Sequence, residues 1–417
     1  MAHIWQALRS GDWLTPARTR AYCLILIGLA CLAICGWIAL SHDLVDRSGK
    51  PIGTDFSSFY AAGSLALEHN ATEAYDMVAH HAREQRLFGP DTPYYSWLYP
   101  PSFFLLAAPL ALLPYPLALA LWQAMTFAVY LGVIGAILRR ARHDDGPVAR
   151  LWLLAAAAFP AVFINLGHGQ NGFLTAALLG GALVLLPRRP GLAGVLFGLL
   201  AYKPQFALVI PFALVAGGQW RSIMAATITV IALAGASLLL FGADAWTAFF
   251  ASTETSRNLL LEQGNVGFEK LQSAFAAVRL WGGSVPLAYL VQGAVCAITA
   301  GCTAWVWRSP GADDIKAALL IAATALASPH ILDYDLMLLA PAMAFLVAAR
   351  AGAAFLDHEI SLLAAVWIAP LLARSLAGAT GIPLGFLASA TMFILIARAA
   401  VHARGAAGAG SLRVAQA

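Results

Sequence analysis

Apolar residues fall in long unbroken runs along this chain, with little alternation inside them. The runs are 21–40, 115–138, 151–165, 172–187, 191–203, 205–217, 222–241, 285–307, 316–328, 336–349, 360–376 and 384–399. A helix needs about 20 apolar residues to cross about 30 Å of hydrocarbon. The pattern therefore predicts an all-α polytopic membrane protein of about twelve transmembrane helices. A further run, Leu98–Leu113, is short and broken by Pro100, Pro101 and Pro109, with Pro114 just beyond it. It is expected to be re-entrant or surface-lying, as proline interrupts the helix ladder and broken backbone is tolerated only where protein covers it.

Composition agrees with this pattern. Of 417 residues, 60% are hydrophobic and 11% charged, and the mean hydropathy is +0.75. Soluble domains carry about 25% charged residues. The net charge of +4 comes from scattered basic residues, which argues against a nucleic-acid partner. Arg9, Arg18 and Arg20 precede the first run, whose length fits an uncleaved span better than a signal peptide. Cys23, Cys31, Cys35, Cys296 and Cys302 all lie inside apolar runs and read as small buried apolar residues.

Charge also orients the chain. With the N-terminus in the cytoplasm and Leu98–Leu113 not crossing, 16 of the 25 basic residues fall in short cytoplasmic segments, including Arg139, Arg140, Arg142 and Arg150. That is the positive-inside bias, and it puts both termini in the cytoplasm. Two long loops then lie outside, 41–114 and 242–284, both with surface-lying helices. Interface-type aromatics mark them: Tyr94, Tyr95, Trp97 and Tyr99 in the first, Trp246, Phe249 and Phe250 in the second. Residues 1–402 read as one transmembrane domain, and 403–417, rich in glycine and alanine, as a disordered cytoplasmic tail.

Polar groups at the outer ends of the runs are the candidates for chemistry, because each is costly unless it faces a cavity or a partner. Asp55 stands alone among Gly53, Thr54, Phe56 and Tyr60. Two readings of it stand, a helix cap or solvated acid on one side and a catalytic base on the other. The turn Asn165–Asn171 offers His168, Gln170 and Asn171 as neutral partners for sugar hydroxyls, with Gly167, Gly169 and Gly172 allowing close backbone approach. Lys203 breaks an apolar stretch just before Pro204-Gln205 and suits a lipid phosphate. Arg257 and His330 complete the set; Asp333 and Asp335 are two apart and share no helical face, so His330 is read as a phosphate or hydroxyl ligand and not as part of a metal cluster. Glu68, Glu73 and Glu84 are expected to be solvated, and Asp144, Asp145, Asp313 and Asp314 to be structural.

These stretches together carry a resemblance. Gly53-Thr54-Asp55-Phe56, Tyr99-Pro100-Pro101, Gly167-His168-Gly169-Gln170-Asn171, Tyr202-Lys203-Pro204-Gln205 and Ser328-Pro329-His330 resemble, in that order, the motifs of glycosyltransferase family 87. The resemblance covers about residues 50–340. The family includes polyprenol-phosphate-mannose-dependent mannosyltransferases. It implies a C-type glycosyltransferase fold in a bacterial inner membrane, with the active site on the periplasmic face. It further implies a polyprenyl-phosphate sugar as donor, with mannose the best-known hexose, and a glycolipid or glycan as acceptor. The family's catalytic acid maps onto Asp55. Lys203 and His330 are expected near the donor phosphate, and His168, Gln170 and Asn171 near the sugars, with Gln205, Arg257 and Tyr99 also in the substrate site.

The chemistry fits that expectation. A lipid monophosphate already supplies a leaving group, and one carboxylate acting as general base suits a single inverting displacement. Neither a metal nor a cofactor is expected, nor an oligomer. The competing reading is a transporter or flippase of envelope precursors, which a dozen broken spans also suit. Against it, the outer loops are asymmetric and the polar residues gather at one face and not at the midplane.

Overall fold

A computed structural model describes residues 2–140, 146–351 and 353–414. Arg142, Asp144 and Asp145, and the side chain of Arg413, lie outside the described residues. The chain forms α1 (Ala2–Ser10), α2 (Pro16–Ala39), α3 (Asp55–Leu67), α4 (Met77–Phe88), α5 (Phe104–Ala111) and α6 (Tyr115–Arg140). Next come α7 (Pro147–Ala157), α8 (Pro160–His168), α9 (Gly172–Leu185), α10 (Pro190–Leu199), α11 (Ile210–Ala216) and α12 (Trp220–Ser256). The last third holds α13 (Ala274–Leu280), α14 (Val285–Arg308), α15 (Asp313–Ala327), α16 (Leu339–Ala349), α17 (Glu359–Thr380) and α18 (Leu384–Val414). No strand forms among the described residues; isolated backbone pairs such as Leu271 with Leu332 are the nearest thing to one.

Seven helical stretches are long and apolar enough to cross a membrane: 16–39, 115–140, 148–168, 220–262, 285–308, 359–380 and 384–404. They account for seven of the twelve apolar runs, and the chain is a multi-pass membrane protein. The other five runs fold as shorter helices, for reasons visible in the chain. Pro204 cannot donate to the ladder, so the polypeptide between α10 and α11 becomes two 3-10 turns, Leu200–Tyr202 and Pro204–Leu208. Ser328-Pro329 ends α15 in the same way. In the Leu98–Leu113 region helix is confined to Pro101–Phe103 and α5, about 16 Å at 1.5 Å per residue. Helix continues to Val414 where composition predicts a disordered tail, in line with the helix preference of its alanines.

Short and long helices occupy different places. α9, α15 and α16 are buried along nearly their whole length and form the centre. The long α2, α12 and α14 lie at the periphery and expose Leu29, Leu32, Ile231, Leu239 and Leu290. In water such exposure would be untenable; in hydrocarbon it is the matching surface. Cys31 and Cys35 share that exposed face of α2, whereas Cys23 is buried against α7, so not all the cysteines are interior.

The segment between α2 and α6 folds back on the bundle and brings Asp55 inward. Asp76 caps α4 by accepting from the Ala79 N–H at 2.8 Å. α3 packs on α5 through Gly63, where a Cβ would lie 2.2 Å from the Ala107 carbonyl oxygen and 2.6 Å from its carbon. Only a residue without a side chain permits that approach. Gly63→Val is therefore expected to destabilise the protein by about 1–3 kcal/mol, the usual cost of overpacking. The check is the unfolding midpoint of purified protein against temperature; an unchanged midpoint would mean that α3 and α5 are not packed this closely.

Candidate active site

Four separate parts of the chain meet around Asp55: the start of α3, the end of α8 with the turn after it, the aromatic segment before α5, and the stretch that follows α15. Gly169 makes the meeting possible. It adopts φ +64, and a Cβ there would lie 2.5 Å from the Phe56 Cβ and 2.9 Å from the Gly53 carbonyl oxygen. A left-handed glycine thus lets the α8–α9 turn close on the first residues of α3.

That closure sets the hydrogen bonds. The Gln170 side-chain Oε1 accepts from the Tyr99 hydroxyl at 3.2 Å and from the Asn171 N–H at 3.1 Å. Its amide nitrogen is then turned to Asp55 and donates to Oδ2 at 3.0 Å. The Asn171 amide nitrogen donates to the Tyr99 hydroxyl at 2.8 Å. The Asn171 Oδ1 is buried with no partner in the protein. His168 Nδ1 lies 2.9 Å from the Thr54 hydroxyl and 3.6 Å from Asp55 Oδ1. Asp55 is the first residue of α3 and its carboxylate does not cap the helix; it faces the turn, with 26% of the side chain still accessible.

Electrostatics keep Asp55 charged. Burial works against its charge, yet His168, the Gln170 amide and Lys270 together hold the carboxyl below the usual carboxylate range. Lys270 is the residue that inspection of the chain missed. It forms no ion pair with a described carboxylate, and its segment is fixed beside the site where the Gln272 N–H donates to the Ile331 carbonyl oxygen at 2.8 Å. No local motif surrounds it, so only the pairing of the two distant segments could have revealed it.

The remaining expected residues divide. Lys203 is buried and paired with Asp335 at 2.5 Å, and its ammonium lies over the Phe206 and Tyr334 rings. A phosphate at this point would have to share that charge. His330 is partly exposed, its carbonyl oxygen accepting from the Ser328 hydroxyl. Gln205 is partly exposed in the turn after Pro204. Arg257 is not part of the cluster: it is exposed on a π-helical turn, Arg257–Glu262, and pairs with Glu262 at 3.3 Å. Asp314 is structural, pairing with Arg140 at 2.9 Å. Among the described residues no group of histidine, cysteine or carboxylate side chains is placed to hold a metal.

Glu84 departs from its expected solvated place. Its side chain has no exposure, and its Oε2 accepts from the Tyr95 N–H at 3.1 Å. The reason is the face of α4 on which it sits: His80, Glu84 and Phe88, spaced four apart, all point inward. Glu68, in contrast, is on the surface and bonded to Arg83. Burial pushes the Glu84 carboxyl up to about 8 and the His80 imidazole down to about 4. The two groups, 3.8 Å apart, are therefore a neutral pair at pH 7 and not an ion pair.

Comparison with known proteins bears on this arrangement. The sequence model of glycosyltransferase family 87 matches residues 97–329, more than half of the chain. The matched part holds Tyr99, His168, Gln170, Asn171 and Lys203, while Asp55 and His330 lie outside it. No curated protein and no solved structure matches.

The neutral Glu84 gives a stability signature. Unfolded, glutamate titrates near 4.3 and histidine near 6.5. Above pH 6.5 the unfolded glutamate binds no proton and the unfolded histidine gives up the half-proton it still carries there, while the folded protein keeps the Glu84 proton up to about 8. Stability must then fall as pH rises from 6.5 to 8, by about 2 kcal/mol from this group. Below 6.5, the uncharged His80 opposes the trend. Glu84→Gln is expected to flatten the fall in melting temperature between pH 6.5 and 8 relative to wild type. Parallel profiles for the two proteins would show instead that Glu84 is ionised at neutral pH.

Proposed function

Because the chain belongs to glycosyltransferase family 87, and so is a membrane glycosyltransferase, we propose that it transfers a sugar from a polyprenyl-phosphate donor with Asp55 as general base. The observation that carries the reading is the geometry of the Asp55 carboxylate: partly accessible, with Oδ2 held by Gln170 at 3.0 Å and Oδ1 facing His168 at 3.6 Å. The acceptor hydroxyl gives its proton to Asp55 as its oxygen attacks the anomeric carbon. The bond from that carbon to the phosphate oxygen breaks, and the lipid phosphate leaves with the electron pair. One displacement inverts the anomeric centre. General-base assistance of this kind is worth about 10²–10⁴-fold.

The departing phosphate needs positive charge close by. Lys270, unpaired with any described carboxylate and within electrostatic reach of Asp55, is the proposed partner, with His330 and Lys203, which lie near each other and Asp335, as further candidates. The unmet Asn171 Oδ1, with His168 and Tyr99, supports a role in holding sugar hydroxyls. The donor carries its own leaving group, so the proposed reaction needs no metal and no cofactor. The same reading takes the chain as a monomeric C-type glycosyltransferase of a bacterial inner membrane, with all twelve apolar runs crossing, the site periplasmic, mannose or another hexose transferred, and a glycolipid or glycan receiving it.

Two outcomes test the base. Asp55→Asn should lower transfer about 10²–10⁴-fold, while the protein still inserts and accumulates; the measurement is release of lipid phosphate from a panel of polyprenyl-phosphate sugars. Wild-type rates in this variant would falsify the assignment. The depressed carboxyl also sets a pH profile. Its proton returns only below the usual carboxylate range, so the rate should show no loss from base protonation down to about pH 5. Lys270→Met is expected to slow turnover more than it weakens acceptor binding, and Lys270→Arg to restore part of the rate.

A further inference from the structure

A cavity lies between the aromatic segment before α5 and the end of α12. Its volume is about 350 Å³, at the small end of the range for ligand sites. Asp55 does not line it. Its walls set the aromatic rings of Tyr75 and Trp97 against Ser96, Thr255, Ser256 and Asn265. Neutral donors and acceptors beside ring faces suit a polyol: the hydroxyls take the hydrogen bonds, and the C–H face of the sugar lies on the ring. An anion does not suit it. No lysine or arginine lines the cavity, and the charged group that does is the Asp76 carboxylate, already used to cap α4.

Further observations point to a ligand. Trp97 is 3% exposed and its indole N–H lies beside the Tyr75 hydroxyl, so the two rings form one fixed aromatic wall of the cavity. The backbone opposite is the π-helical turn Arg257–Glu262, whose Leu259 and Leu260 reach the same cavity. Such widened turns are frequent at functional sites. The cavity is also tied to the reaction centre. The Trp97 ring lies 5.3 Å from that of Tyr99, Tyr99 donates to Gln170, and Gln170 donates to Asp55.

We propose that this cavity is a carbohydrate subsite, holding a neutral sugar unit of the acceptor that does not itself react. The proposal rests on the glycosyltransferase reading but not on the role given to Asp55. It makes the acceptor a glycan of more than one sugar, gripped by the segment before α5 and by the end of α12 together.

The test is ligand-observed saturation-transfer NMR on the full chain in lipid nanodiscs, with mannobiose and maltose as neutral probes and mannose 1-phosphate as the anionic one. A neutral disaccharide should bind wild type and Asp55→Asn alike. The double variant Ser256→Leu, Asn265→Leu should weaken it about tenfold, as expected when two hydrogen bonds are lost. Thr255→Trp, filling the cavity from an exposed position, should weaken it as well. The proposal is overturned if neither disaccharide binds, if both variants bind as wild type does, or if mannose 1-phosphate competes for the cavity. Asp55→Asn that still transfers sugar would remove the base and leave the subsite standing. Loss of disaccharide binding only in Asp55→Asn would do the reverse.

Discussion

Lys203 and Asp335 form the interaction on which the centre of this protein depends. Both side chains are buried, at 5% and 1% exposure, and each is the other's counter-ion. An unpaired charge in such a place is not tolerable, and removing one member of a buried pair typically costs about 3–5 kcal/mol. The pair therefore fixes where its two backbone segments can be. One is the turn at Pro204, where a helix cannot continue; the other is the irregular stretch between α15 and α16, where the Asp335 Oδ2 also accepts from the Leu332 N–H. The breaks in the helices are thus bonded to each other in the interior, which is how non-helical backbone persists among apolar helices.

From that joint the rest of the site follows. With the stretch after Pro329 held by Asp335, Ile331 and Leu332 present backbone groups to Leu271 and Gln272, and Lys270 is carried to the neighbourhood of Asp55. On the other side, the Gly169 turn presses against Phe56 and turns Gln170 toward the same carboxylate. Helix ends, turns and broken segments supply the polar groups, while the helices of the centre supply almost none. A fold that keeps its spans apolar has only these interruptions on which to place chemistry.

Much of this was legible in the chain because each interruption has a local cause. Proline at 204 and 329 and glycine at 169 mark their breaks wherever the fold puts them. An isolated acid at the start of α3, and an amide pair in a glycine-framed turn, stand out for the same reason. Partnership was not legible. Lys203 read as free for a phosphate, since its counter-ion is 132 positions away. Glu84 read as solvated because its own helix is polar by average; the inward face appears only when His80, Glu84 and Phe88 are counted at helical spacing. Lys270 had no local signature at all. The residues found by type and setting were those whose environment is sequence-local, and the ones missed owe their environment to distant segments.

Asp55 and Glu84 show why that distinction matters for function. Both are carboxyls of the same folded-back segment, and either could pass for a base by residue type. Asp55 stays ionised because His168 and Gln170 face it and because part of it still meets solvent. Glu84 keeps its proton because burial outweighs the hydrogen bond from Tyr95, and the Asp55 charge adds to the same effect. Two like groups are thus driven to opposite protonation states by their surroundings, the arrangement by which proteins assign acid and base roles. The fully buried Glu84 has no route to a substrate atom. Its neutral state instead spares the segment a second negative charge behind Asp55, while the buried Asp333 carboxylate, within electrostatic reach of His168, shares the field at the site.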